Sequence, residues 1–157
     1  MPDNGSPPRS EELFHTHHDM TRQLEQLQEK ASLLRRSEVE SAAVLNELFE
    51  FADQFATTVI EHIAEEEETI FPRCQPYLTV AARAMLYRIH EQHRELETSL
   101  DVLLEQLKIA QLSPEDLETD LVESIYIRSR LLRYNFILHS ADERQFFEEV
   151  LRFSNPE

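Results

Sequence analysis

Residues 44–66 read VLNELFEFADQFATTVIEHIAEE. Val44, Leu48, Phe51, Phe55 and Val59 recur at steps of three or four, the period of one face of an α-helix. The same steps continue onto His62 and Glu66, so an apolar stripe turns polar without leaving its face. Upstream, Ser37 and Glu40 have the spacing of a capping box. Downstream, Pro72 and Pro76 are expected to end the helix.

Three further segments repeat this pattern. Thr79 can cap a helix whose stripe is Ala82, Leu86, Ile89, then His93, then Leu96, Leu100, Leu103 and Leu107. Ser113-Pro114 reads as a cap followed by proline at the first helical position. The stripe after it is Val122, Ile125, Leu132 and Phe136, then His139 and Glu143, then Phe146 and Val150. Nearer the start, Ser10 can cap a helix carrying Leu13, His17, Met20, Leu24, Leu27, Ala31 and Leu34, with Arg35 and Arg36 suiting its C-terminal dipole. Residues 1–9 hold three prolines and Gly5 and are expected to form a flexible tail, leaving 10–153 as one domain. Four long amphipathic helices with short connections predict an all-α, antiparallel up-down-up-down four-helix bundle.

Composition narrows the function. A chain of 157 residues, 41% hydrophobic and 29% charged, can bury a real core. Gly5 is the only glycine, which excludes phosphate loops, dinucleotide fingerprints and nucleophile elbows. The net charge of −16 repels phosphate backbones and anionic lipid, so neither nucleic acid nor a membrane is expected as partner. The single cysteine, Cys74, rules out a disulfide within the chain. With no signal-peptide pattern in MPDNGSPPRS, this points to the cytoplasm.

Every helix thus places a histidine on its inward stripe, and two add a glutamate one turn later. Residues four apart share a helix face, so His62 with Glu66, and His139 with Glu143, can aim an imidazole and a carboxylate at one point. Counting the helical rise puts His17, His62, Glu66, His93, His139 and Glu143 in the same half of the bundle. Buried without a cation, such groups would each cost several kcal/mol. Nitrogen and oxygen donors without cysteine suit iron or manganese better than a structural zinc site. Four histidines and two carboxylates able to bridge are too many for one ion, which points to a dinuclear centre.

Ferritin-type bundles use Glu-x-x-His; here the order is His-x-x-x-Glu. The stretches EHIAEEEETIF and LHSADERQFF, His62 to Glu66 running into Ile70-Phe71-Pro72, and His93 between them resemble the hemerythrin-like, HHE cation-binding family over roughly residues 11–152. The resemblance implies a bundle holding two iron ions, oxo- or hydroxo-bridged. His17 and His62 would ligate one, His93 and His139 the other, and Glu66 and Glu143 would bridge. The oxygen-carrying invertebrate members have an aspartate five residues after the fourth-helix histidine, where this chain has Arg144. Their third-helix histidines are four apart, whereas His90 and His93 are three apart. Both departures resemble the bacterial HHE and iron-centre repair branch and weigh against simple reversible oxygen carriage. The implied function is a non-haem di-iron protein binding or reacting with oxygen, nitric oxide or peroxide, in sensing, storage or stress response. The alternatives are a di-iron oxidoreductase acting on those molecules, or an iron donor for damaged centres.

The neighbours read differently. His17 fits the stripe better than His18, and His15 is expected to be exposed. His90, one turn before His93, is an additional candidate ligand. Glu65, Glu67 and Glu68 are expected on a solvated face. Tyr87, Tyr126 and Tyr134 lie off the stripes, and Phe14, Phe55, Phe136 and Phe146 lie on or beside them.

Overall fold

The computed structural model describes residues 10–36 and 41–154, with side chains in the first helix from residue 16. The expected tail, the Ser37–Glu40 capping box and the side chains of Leu13, Phe14 and His15 lie outside the described residues. Every described element is helical: α1 Ser10–Arg36, α2 Ser41–Glu65, a π-helical turn Glu66–Ile70, α3 Phe71–Cys74, a 3-10 turn Gln75–Tyr77, α4 Val80–Leu112, a 3-10 turn Pro114–Asp116 and α5 Thr119–Ser154. The chain forms an all-α bundle in which α1 packs on α2 and α5, and α4 packs on the same two helices.

Side-chain contacts set the direction of each neighbour. On α1, His17 meets His62 while Lys30 meets Glu47. Against α5, His17 meets Glu143 while Arg133 reaches back to Gln28. On α4, Arg88 meets Asp142 while Gln106 meets Ser124, and His93 meets Glu66 while Gln111 meets Asn46. Rising numbers on one helix face falling numbers on the next in all four pairs.

Three boundaries follow local chemistry. Thr79 caps α4 as expected, its Oγ1 accepting from the Ala82 N–H at 3.0 Å. Pro72 does not end the second helical run. The π turn places it in the first turn of α3, where a missing N–H costs little, and the helical path continues to Tyr77. Nor does Ser113-Pro114 start the last long helix. It makes one 3-10 turn, Leu117 is extended at φ −69° and ψ 123° while packing against the core, and α5 begins at Thr119.

Apart from half-buried Phe51 and Val122, the described residues of the expected stripes are buried, the apolar ones in two blocks. The larger holds Met20, Leu24 and Leu27 from α1 with Leu48, Phe55 and Val59, Leu96 to Leu107, and Ile125, Leu132 and Phe136. The smaller holds Ile70, Phe71, Cys74, Ala82, Leu86, Ile89, Phe146, Phe147 and Val150. On α4 and α5 the polar residues of the stripes fall in sequence between the two blocks, and past the end of α2 Glu66 falls between Ile63 of the larger block and Ile70 of the smaller. Each fully buried Leu or Phe stabilises by about 1.5–3 kcal/mol, which offsets the cost of a polar layer between them.

Cys74 sits inside the smaller block. Burial pushes its thiol up, the neighbouring Arg73 charge works the other way, and the result is about 11. The reactive thiolate is therefore scarce at neutral pH. Alkylation of the folded protein at pH 7.5 should be far slower than of the protein in denaturant; equal rates would mean that the block opens readily.

Candidate metal centre

The end of α2 with the first residue of the π turn, and the middle of α5, supply the paired residues. Their helical geometry sets His62 against Glu66 and His139 against Glu143, the latter pair with Nε2 and Oε1 3.0 Å apart. α1 adds His17, whose Nε2 lies 2.8 Å from that of His62 and 2.9 Å from Glu143 Oε2. α4 adds His93, whose Nε2 lies 3.5 Å from Glu66 Oε2 and 3.4 Å from Glu143 Oε1. Glu66, Glu143 and His93 are 0% exposed, and His17, His62 and His139 are also buried. All six residues singled out on the stripes are thus brought to one place.

The arrangement has two sides. The rings of His17 and His62 are 4.8 Å apart, and those of His93 and His139 are also 4.8 Å apart. Glu66 turns Oε1 to the first pair and Oε2 towards His93. Glu143 turns Oε2 to His17 and Oε1 to His93 and His139. Each carboxylate spans both pairs. Phe136 stands edge-on to His17 and Phe71 stacks on His93, which keeps the surroundings apolar.

The donor set fits a cation. Glu66 Oε2 and Glu143 Oε2 are buried without a hydrogen-bond partner; the His17 contact at 2.9 Å is close but not aligned as a hydrogen bond. Two imidazole nitrogens 2.8 Å apart can share one proton at most. The electrostatics agree. Burial pulls His17 down, but Glu143 and Glu66 outweigh it and raise the ring to about 9. His93 responds in the same way to Glu143, Glu66 and Glu67 and rises to about 10. Burial works to raise the Glu143 carboxyl, yet its contacts with Glu66, His139 and His17 hold it well below the usual carboxylate range. The pocket draws positive charge onto itself.

Outside this group the structure corrects one expectation. Glu67 is not on a solvated face with Glu65 and Glu68; it is half-buried behind His93. Its Oε1 lies 3.0 Å from Nδ1 of both His93 and His90, and Arg94 donates to both its oxygens at 2.6 and 2.8 Å. Burial works to raise it, while His93, His90 and Arg94 bring it to about 2. Glu67 lies one helical turn after buried Ile63 and shares its inward edge, so it meets α4 rather than solvent.

His90 joins this outer group and not the central one; its side chain is 41% exposed. His18 is exposed, beside His17 on a cavity between α1 and α5. Gln92 was not singled out from the sequence. It accepts from His139 Nδ1 at 2.9 Å and donates to Asp142 at 2.6 Å, and Asp142 in turn meets Arg88. An amide on an otherwise exposed face carries no signal of this in sequence. Tyr87 and Tyr134 are exposed, and Tyr126 lies half-buried under Arg35.

Among the described residues no helix is long and apolar enough to cross a membrane. Searches of curated proteins and of solved structures each found no significant match. The model of one family, the hemerythrin HHE cation binding domain, matches residues 9–151. Those residues include every histidine of the four long helices and the six groups that converge between the apolar blocks, and the chain belongs to the hemerythrin HHE cation-binding family.

Proposed function

We propose that this cation-binding chain is a non-haem di-iron protein that binds or reacts with oxygen, nitric oxide or peroxide. His17 and His62 would hold one iron, His93 and His139 the other, and Glu66 and Glu143 would bridge them. The observation carrying this reading is that each buried carboxylate turns one oxygen to each histidine pair. Four imidazoles and two such carboxylates serve two ions better than one, and a donor set without thiolate favours iron over a structural zinc. The irons would supply electrons and an open coordination position for a small molecule.

The chain's own residues do the rest. Glu67 and Gln92 accept from Nδ1 of His93 and His139, which directs the Nε2 lone pairs inward and makes the rings better donors. Phe136 stands edge-on to His17 and Phe71 stacks on His93, which gives each ring pair an apolar neighbour.

Elemental analysis of protein expressed with ample iron should give two irons per chain. The optical spectrum should change on exposure to air, nitric oxide or peroxide. One metal per chain, or two zincs under iron-replete expression, would overturn the reading.

A further inference from the structure

The outer nitrogens of the rings are not treated alike. His93 and His139 each have a partner for Nδ1, and each partner is itself held: Glu67 by Arg94, and Gln92 by Asp142. His17 is 3% exposed, yet its Nδ1 has no hydrogen-bond partner. Its ring forms part of the wall of an open cavity of about 540 Å³ between α1 and α5, with Thr21, Ser140, Ala141, Arg144 and Glu148. Ser140 Oγ on the same wall is also buried and unpartnered. An imidazole whose outer N–H is bonded is fixed in tautomer and orientation and binds metal more strongly than one that lacks the bond.

Resting on the di-iron reading, we propose that the position served by His17 is the exchangeable one, and that the α1–α5 cavity is the route by which its ion enters and leaves. The position backed by Glu67 and Gln92 is the retained one. Thr21, Ser140 and Glu148 offer oxygen donors along the route, which suit a ferrous ion in transit. The exchange is a ligand substitution, with no change of oxidation state, in which an acceptor's donor atoms replace His17 and its neighbours on the ion.

The test uses the full chain loaded anaerobically with ferrous iron, its content measured first, then mixed with excess ferrozine. Two phases of equal amplitude are expected. Ala141→Phe fills the cavity from an exposed wall position outside the six converging residues, and should slow the fast phase severalfold while sparing the slow one. Glu67→Ala, which leaves His93 Nδ1 without its acceptor, should speed the slow phase about ten- to hundredfold and spare the fast one. A single phase from doubly loaded protein overturns the proposal. So does a fast phase indifferent to Ala141→Phe, or a Glu67→Ala effect confined to the fast phase. Fewer than two irons at the outset overturns the di-iron reading itself, and that result is read before any chelator is added.

Discussion

Glu66→Ala should reduce bound iron from two per chain to one or none and abolish the visible absorption of the loaded protein. The substitution removes a carboxylate that faces both histidine pairs from a position with no exposure to water. Glu65→Ala and Glu68→Ala, both at exposed positions, should keep both irons and the spectrum. Glu67→Ala belongs between these extremes, because it removes the partner of His93 and leaves the centre's own donors in place; loss of such a partner costs about 10- to 100-fold in metal affinity. On α1, His17→Ala should lose metal and His18→Ala should not. Elemental analysis of the six variants beside the parent checks the whole set. Equal losses in Glu66→Ala and Glu68→Ala would show that the face assigned to the centre is wrong.

Removing the metal should lower the thermal midpoint substantially. At free metal about a thousandfold above its dissociation constant, binding adds about 4 kcal/mol to the folded state. For a domain of this size each kcal/mol moves the midpoint by about 2–4 °C, so the shift should be about 8–16 °C. Without the metal, Glu66 and Glu143 stay buried among imidazoles with oxygens that accept no hydrogen bond. Paired melts of loaded and chelated protein measure the difference. A change of less than a degree or two would mean that the convergent residues do not hold a tightly bound ion.

Much of this centre was legible because an α-helix repeats its face every three or four residues. His62 with Glu66 and His139 with Glu143 needed only that rule, and His17 and His93 needed the stripes on either side of them. The rule fails where the winding changes. At Glu66–Ile70 the helix is π, and the apolar face beyond takes in both Ile70 and Phe71. Pro72 misled for the same reason, since a proline at the start of a new helical segment looks in sequence like a stop. Gln92 failed differently. Its role depends on which residue of a distant helix stands opposite, and no period within α4 encodes the presence of His139 and Asp142.

The π turn also makes the chain unequally tolerant of changes in length. Glu66 and Glu67 are adjacent in sequence but serve different layers of the centre, and the winding between Glu66 and Ile70 sets where Phe71 meets His93. An insertion or deletion between Glu66 and Pro72 would re-index everything from the bridging carboxylate to the smaller apolar block. The connection through Pro114–Asp116 lies far along both α4 and α5 from His93 and His139, with Ser113, Glu115 and Asp116 exposed. Added residues there can loop into solvent. Among natural or engineered variants, drift in spacing should therefore collect between α4 and α5, while the interval from Glu66 to Pro72 keeps its count even where its residues change.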